Sequence, residues 1–418
     1  MLFYISIIIL LVIIVVRINS PLKAFYLIVA TKSIIDATWN TRVGPISLIS
    51  VEGIIMPILY FNLFWNKEIP KYWKHTGWLL FISLSTGVIF GLLIKPGSAL
   101  ETIIKNVNIL LGFFLIQSLI RSKEDFRRFL IALMIGGIFP IAVSIYQSIT
   151  GVHWVERYTV GMLRYDGLYH DSFPVRFYGT FTIFAALIYI IYFREQRKLY
   201  RFLPMILMIA ALFSIYKVFS KAAVVIALAW VVLALLFSRR KLRVFLLIAL
   251  IGLTFVLIVG DEITDTTEQL FSKEIGYRTG DVKDARFMLS GRGYQWEDYF
   301  DFWKNDQKVL YQFLGDGLSR PAHNEYLRIL LASGIIGIIL YGLFLIRIGF
   351  LIIRYPNDMK LFILMLLAMY IVDSIGLAPG DYYYYNILVW GFIGLFLYND
   401  TLLRLDAEPD QEMTHALD

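Results

Sequence analysis

Long apolar runs separated by short polar connectors make up almost the whole chain. Each run has about 17–20 residues, enough for an α-helix to cross about 30 Å of hydrocarbon. The pattern therefore predicts an all-α polytopic integral membrane protein with about 12–13 transmembrane helices. We predict spans at residues 1–18, 22–38, 46–64, 77–95, 103–120, 128–149, 176–193, 202–219, 222–238, 243–260, 325–353, 361–378 and 384–400.

The composition agrees with this prediction and argues against some classes of function. The 418 residues are 58% hydrophobic and only 17% charged, below the roughly 25% of soluble domains. The net charge of +7 does not indicate a nucleic-acid partner, because lysine and arginine mostly flank apolar runs. The absence of cysteine excludes disulfides, a thiolate nucleophile and a cysteine metal site. Residues 1–16 lack a basic leader and a cleavage site, which favours a retained span.

Five basic connectors predict the orientation of the chain. On a thirteen-span count all five fall on the same side, which the positive-inside rule assigns to the cytoplasm. The N-terminus and two long loops are then outside. Residues 22–38 form a weaker segment that a re-entrant hairpin would also fit. The connectors are residues 67–74, 121–128, 194–201, 239–243 and 354–360.

This orientation divides the chain into six parts. They are N-terminal helices (1–149), a first extracytoplasmic loop (150–175), central helices (176–260), a second extracytoplasmic loop (261–324), C-terminal helices (325–400) and a cytoplasmic tail (401–418). In the second loop, Trp296, Tyr299, Phe300 and Trp303 recur at helical spacing. They predict a short amphipathic helix that lies in the outer headgroup region or packs on the bundle.

Several ionisable residues fall inside the predicted spans, mostly in their outer halves. Such residues are costly in hydrocarbon and usually line cavities. They predict a polar vestibule that opens outward. The residues are Lys32, Asp36, Glu52, Lys105, Lys217 and Asp373.

The segment from Gly315 to Leu327 holds the most reactive combination of residues. His323 comes at the end of the second loop, directly before an apolar span, and follows Arg320 and a glycine turn. A helix N-terminus stabilises anions and keeps a nearby imidazole neutral. The segment therefore fits both a base and a diphosphate ligand, although a histidine that only caps the span is the simpler interpretation.

The same segment resembles the signature region of the O-antigen ligase and O-antigen polymerase superfamily over residues 290–337. That family has an Arg-x-x-x-Trp helix, a Gly-x-Gly turn and a His-Asn-x-x-Leu motif that enters the next span. The matching residues are Ser290 to Arg292, Trp296, Gly315 to Gly317, His323 to Leu327 and Gly334 to Gly337. Arg164 to Gly167 is similar to the family's Arg-x-x-Gly loop. Ser220 and Lys221 resemble its Ser-Arg pair, with lysine in place of arginine.

The resemblance implies an inverting glycosyltransferase at the outer face of a bacterial inner membrane. Its donor would be an undecaprenyl-diphosphate-linked oligosaccharide. Its acceptor would be another glycan, either a lipid-linked repeat unit or lipid A core. No cofactor, metal or nucleotide sugar is implied. Membrane lipids, and a chain-length regulator or flippase, are the other expected partners.

The residues suggest roles in such a reaction. His323 is the expected general base, and Arg292 and Arg164 are expected to grip the diphosphate, because arginine binds phosphate bidentately. Asn324 is expected to position or cap, while Glu325 could replace His323 as base or orient it. Further substrate-binding candidates are Arg320, Arg176, Lys217, Lys221 and Trp296.

Weaker candidates and other functions remain open. His153 and His170 in the first loop are rival bases. Asp281 and Asp284 form a D-x-x-D pair that could bind a metal ion. The function itself has three readings: a polymerase of repeat units, which we favour, a ligase that transfers finished polysaccharide, and a transporter of a small anion.

Overall fold

The computed structural model describes residues 2–43, 46–193, 198–237, 241–354 and 359–398. About 82% of the chain is helical, which confirms the prediction of an all-α protein. The predicted tail 401–418 lies outside the described residues, as do parts of the basic connectors 194–201, 239–243 and 354–360. Strands occur in the described residues only as two small hairpins.

The helices follow the apolar runs closely. The first seven are α1 Leu2–Asn19, α2 Pro21–Asp36, α3 Leu48–Leu59, α4 Lys71–Ser85, α5 Val88–Ile94, α6 Pro96–Leu119 and α7 Lys123–Thr150. The next four are α8 Phe173–Tyr192, α9 Lys198–Lys217, α10 Lys221–Phe237 and α11 Lys241–Leu270. The last six are α12 Ser272–Thr279, α13 Met288–Asp301, α14 Val309–Leu314, α15 Glu325–Arg354, α16 Lys360–Gly376 and α17 Tyr383–Tyr398. The hairpins pair β1 Arg42–Val43 with β2 Ile46–Ser47, and β3 Tyr158–Thr159 with β4 Met162–Leu163.

Six helical segments of the described chain are long and apolar enough to cross a membrane. They are Leu2–Asn19, Lys71–Ile94, Pro96–Leu119, Lys123–Thr150, Phe173–Tyr192 and Glu325–Arg354. Five shorter apolar helical stretches accompany them: Leu48–Leu59, Phe202–Lys217, Lys221–Phe237, Ile248–Leu257 and Tyr383–Tyr398. The chain thus has the helices of an all-α membrane protein.

The centre of the bundle is formed by α17 and its neighbour α6. From Tyr383 to Leu397 every residue of α17 is buried. Gly112 in α6 permits a close approach, because a Cβ there would lie 2.8 Å from the Cα of Ile387. Phe113 and Trp390 stack beside this contact, with ring centroids 5.7 Å apart. This rigid centre holds the two ends of α17 and α6 in fixed positions.

The second predicted loop, residues 261–324, is mostly helical. Helix α11 continues ten residues past the predicted end of its span at residue 260, and α12, α13 and α14 follow. Helix α13 lies where the spacing of the aromatic residues predicted a helix; it ends at Asp301, so that Trp303 falls in the π-helical turn Phe302–Asp306 that follows.

A break in α15 anchors the end of this segment in the bundle. Gly334 has a left-handed φ of 68°, which interrupts the helix and frees nearby carbonyl groups. The carbonyl of Ala332 accepts a hydrogen bond from Gly317 N at 2.9 Å, and that of Leu331 accepts one from Asp316 N. Gly317 in turn packs closely on Gly87: a Cβ added at Gly317 would lie 2.3 Å from the carbonyl oxygen of Gly87. The chain that leads to His323 therefore starts from a fixed, buried point.

Candidate functional site

The loop between α14 and α15 has a defined conformation. Gly315 and Gly317 take positive φ angles of 80° and 72°, which glycine adopts without strain. Asp316 accepts a hydrogen bond from Leu318 N at 3.0 Å, and Arg320 grips its carboxylate at 3.0 and 2.5 Å. The ion pair between Arg320 and Asp316 therefore stiffens the loop.

His323 lies at the end of this loop in an unusual backbone conformation. Its φ is 47°, in the left-handed region where a residue other than glycine is strained. The next residue, Asn324, caps α15 as predicted, since its Oδ1 accepts a hydrogen bond from Leu327 N at 3.0 Å. Together, the turn and the cap project the exposed imidazole from the start of the helix.

Helix α13 holds the histidine loop from the side. Trp296 Nε1 donates to the carbonyl of Ala322 at 3.1 Å, directly before His323. Arg292, one turn earlier on the same helix, donates to the carbonyl of Gly376 at the end of α16. The adjacent carbonyl, that of Ile375, accepts a hydrogen bond from Asn324 at 3.3 Å. Arg292 and the His323 loop are thus fixed to neighbouring peptide groups of α16.

Two more guanidinium groups come from the first predicted loop and α8. Arg164 follows strand β4, and its Nη1 donates to Ser172 Oγ at 3.0 Å. Arg176 is buried in α8 and forms an ion pair with Asp373 of α16 at 2.6 Å. The second Asp373 oxygen accepts a hydrogen bond from Tyr385 at 2.9 Å. Arg176 Nη1 is buried without a hydrogen-bond partner among the described residues.

These three arginines form one electropositive centre. Burial lowers the pKa of Arg292, and the positive charges of Arg176 and Arg164 lower it further. Burial likewise lowers the pKa of Arg164. Within the described part of the chain, neither Arg164 nor Arg292 belongs to an ion pair, since their partners are a hydroxyl and a carbonyl. Asp166 and Asp171 act on Arg164 in the opposite direction, and Arg176 is paired with Asp373, so Arg292 carries the least compensated charge of the three and is the most suitable to bind an anion.

The imidazole of His323 lies within the field of this centre. Partial desolvation lowers its pKa, and the positive charge of Arg292 lowers it further. Asp171 and Asp381 act in the opposite direction without reversing the shift. Burial and Arg292 therefore both favour the neutral imidazole, which is the form that can accept a proton.

The other predicted ligands are held in structural contacts. Glu325 is fully buried, and both of its carboxylate oxygens accept hydrogen bonds from Arg328, at 2.6 and 2.9 Å. Such an ion pair does not favour Glu325 as a base or as an orienter of His323. Lys217 pairs with Glu262 at 2.5 Å and Lys221 with Glu274 at 2.7 Å, so helices α11 and α12 occupy both ammonium groups.

The rival candidates fit the chemistry less well. His170 lies 3.6 Å from Asp171 and edge-on to Trp39, and the His153 ring lies 5.1 Å from that of Tyr165. Asp284 of the D-x-x-D pair is held by Arg286 at 2.7 Å. The described residues contain no group of three or more metal-binding side chains.

Some residues of the centre were not selected by the sequence patterns. Asp381, in the 3₁₀ turn Pro379–Asp381, accepts a hydrogen bond from Ser319 at 2.9 Å and so ties the histidine loop to the start of α17. Asp171 accepts one from Tyr382 at 3.2 Å. Only the folded bundle brings these distant segments together, so no local spacing could have indicated them.

Comparison with protein-family models gives no match, and neither does comparison with curated proteins.

Proposed function

We propose that this chain is a membrane glycosyltransferase that transfers a glycan from an undecaprenyl-diphosphate-linked donor to the hydroxyl of an acceptor sugar. The proposal rests on one observation: the exposed imidazole of His323 lies near Arg292, which is held on the adjacent peptide group of α16 and lies in turn near Arg164 and Arg176 from other parts of the chain. The motif resemblance of residues 290–337 supports the same function. As in that family, the reaction is expected to proceed with inversion and without a metal ion.

The arginine centre suits the leaving group of this reaction. When the bond between the anomeric carbon and the diphosphate oxygen breaks, its electron pair stays on the lipid diphosphate. The negative charge that develops there is stabilised by fixed cations. Among the described residues Arg292 donates to a carbonyl and Arg164 to a hydroxyl rather than to a carboxylate, and Arg176 keeps its Nη1 nitrogen without a hydrogen-bond partner.

His323 suits the other half of the reaction. The acceptor hydroxyl attacks the anomeric carbon from the face opposite the diphosphate, and its proton passes to the imidazole. A base must be neutral to do this, and Arg292 favours the neutral form of His323. General-base catalysis of this kind contributes about 10²–10⁴-fold in rate.

The proposal includes an orientation. In the thirteen-span arrangement the arginine centre faces the outside of a bacterial inner membrane, where lipid-linked glycans would be the substrate. Residues 150–175 and 261–324 are then extracytoplasmic. We favour a polymerase that uses a second lipid-linked repeat unit as acceptor, and a ligase acting on lipid A core would use the same chemistry.

A transfer assay with purified protein tests the proposal. A lipid-diphosphate repeat unit is incubated with the enzyme, with and without lipid A core, and the products are separated by size. A ladder from the donor alone identifies a polymerase, whereas product only with core identifies a ligase. No glycan transfer under either condition would contradict the proposal.

Two variants test the assigned roles in the same assay. His323→Ala should lower turnover about 10²–10⁴-fold, because the base is lost. Arg292→Lys keeps the charge but cannot bind phosphate bidentately, so turnover should fall at least about tenfold. Arg286→Lys, in an exposed ion pair with Asp284 nearby in the chain, is the matched control and should retain activity. Wild-type turnover by His323→Ala would exclude this residue as the base.

A further inference from the structure

A second group of polar side chains lies next to the arginine centre, around the β3–β4 hairpin. We call it the hairpin pocket and define it by His153, Arg157, Arg164 and Asp166. Each contributes buried polar atoms that have no hydrogen-bond partner in the part of the chain that the structure describes. These atoms are His153 Nδ1, Arg157 Nε, Arg164 Nε and both carboxylate oxygens of Asp166.

The hairpin brings Arg157, Arg164 and Asp166 together, and His153 packs on the neighbouring Tyr165 ring. Strands β3 and β4 are joined by a tight turn in which Val160 and Gly161 have φ angles of 49° and 79°. At its open end Arg164 N donates to the carbonyl of Arg157 at 2.8 Å, so the two arginines are neighbours. Positive charge from both acts on the carboxyl group of Asp166.

Asp166 is the most informative member of the hairpin pocket. Its side chain is only 2% exposed, yet neither oxygen has a partner in the described residues. Burial raises the pKa of Asp166 to about 7, although Arg164 opposes this shift. A buried carboxyl group without partners destabilises a fold, and groups of this kind are commonly retained where a ligand uses them.

The mixture of groups indicates the class of ligand. An anion would be attracted by the arginines but would meet the carboxyl group of Asp166, which offers only acceptors when it is ionised and a single donor when it is protonated. A cation would meet two guanidinium groups. A neutral ring with several hydroxyls satisfies donors and acceptors at once, and the Tyr165 ring beside His153 supplies an apolar surface.

We propose that the hairpin pocket binds the hydroxyl groups of a neutral sugar in the glycan substrate. This inference rests on the proposed function, because it assumes a lipid-linked glycan whose diphosphate occupies the arginine centre. Arg164 belongs to both groups, so a sugar in the hairpin pocket would lie close to the diphosphate. The pocket would thereby select the sugar, while Arg292 and Arg176 hold the part common to all donors.

Binding measurements can separate the two groups. Purified wild-type protein in nanodiscs is applied to a glycan array of neutral hexoses, N-acetylhexosamines, amino sugars and uronic acids. Inorganic pyrophosphate binding is measured in parallel by calorimetry. The variants are Asp166→Asn and Arg157→Gln, with Glu156→Gln as the control, because Glu156 is an exposed acid of the same segment. Thermal unfolding at pH 8 verifies that Asp166→Asn is folded.

The wild type should bind at least one neutral sugar, and both pocket variants should weaken that binding at least tenfold. Glu156→Gln should bind sugars as the wild type does, and Asp166→Asn should retain pyrophosphate binding. The inference is overturned if the wild type binds no neutral sugar, or if Asp166→Asn binds all sugars with wild-type affinity. If the wild-type protein binds no pyrophosphate, that result would instead contradict the proposed function.

Discussion

The left-handed backbone of His323 is a local cost that the surrounding contacts maintain. A non-glycine residue in this region is strained by roughly 1–3 kcal/mol. Asn324 and Trp296 hold the peptide groups on both sides of the imidazole through hydrogen bonds to Leu327, Ile375 and Ala322. An exposed side chain kept in a strained conformation suits a group whose direction matters for chemistry.

After burial, the charge of Arg292 should be the main cause of the lowered pKa of this imidazole. In wild-type protein the pKa of His323 should lie below its ordinary value of 6.5, because partial desolvation and Arg292 disfavour the imidazolium. Replacing Arg292 with glutamine removes the positive charge and should raise the pKa. NMR of protein labelled with ¹⁵N in its five histidines measures it, and the resonance lost in His323→Gln gives the assignment.

The same shift sets the pH dependence of the reaction. The neutral base is present above the pKa of His323 and is lost as the pH falls through it, so kcat/KM should decline only on the acidic side of neutrality.

If the His323 pKa in Arg292→Gln were equal to or lower than that of the wild type, the guanidinium would not act on the imidazole.

Residue patterns predicted some of these roles and missed others. The cap at Asn324 could be predicted, because an asparagine before an apolar run is a local signal. The ion pair of Glu325 could also have been predicted, because its partner Arg328 is only three residues away on the same helix. The partners of Lys217 and Lys221 come from α11 and α12, some fifty residues later, and no local spacing indicates such pairs.

At the scale of elements, the break in α15 determines where the histidine loop is attached. Gly334 has φ 68°, and a Cβ at this position would lie 2.3 Å from the carbonyl oxygen of Phe313. Glycine is required both for the backbone conformation and for the close approach of α14. The apolar run alone predicted a continuous span at 325–353, because the broken helix remains apolar on both sides of the break.

Gly334→Ala should therefore disrupt the site from a distance. With φ 68° and ψ −168°, Gly334 lies in a region that only glycine populates readily; this backbone costs an alanine roughly 1–3 kcal/mol, and the contact with Phe313 adds to this. We expect a lower unfolding temperature in detergent and lower transfer activity. Gly349→Ala in the same helix is the matched control, since no atom lies within 4 Å of the added Cβ. Equal stability of the two variants would show that the break tolerates a side chain.

Element boundaries were predicted least well where glycine interrupts a run. The predicted span 77–95 is divided into α4 and α5 around Gly87, which packs against Gly315 and Gly317. Residues 261–324 looked like a loop because they are polar, yet α11, α12, α13 and α14 cover much of this range. Average hydropathy predicts the helices that cross the membrane, but it does not predict polar helices outside the apolar runs, which must be found from other features such as periodicity.

For the whole molecule, contacts group the polar segments at two ends. At one end the first loop, α13, the histidine loop and the turn before α17 meet through Trp296–Ala322, Ser319–Asp381 and Tyr382–Asp171. At the other, the basic connectors 67–74 and 121–128 meet through an ion pair between Glu68 and Arg121 at 2.8 Å. The arginine centre and the basic connectors thus lie at different ends of the bundle, as the predicted orientation requires.

The orientation of these two ends decides whether the proposed substrate can reach the arginine centre. The chain has no cysteine, so single cysteines can be introduced without background labelling. In intact spheroplasts a membrane-impermeant maleimide should label Asn305→Cys, an exposed position after α13, and should not label Lys123→Cys at the start of α7. Both should react after the membrane is permeabilised, which controls for accessibility. Labelling of Lys123→Cys alone in intact spheroplasts would place the arginine centre at the cytoplasmic face. That result would contradict the orientation given by the positive-inside rule. It would also contradict a lipid-linked donor that binds from the outside.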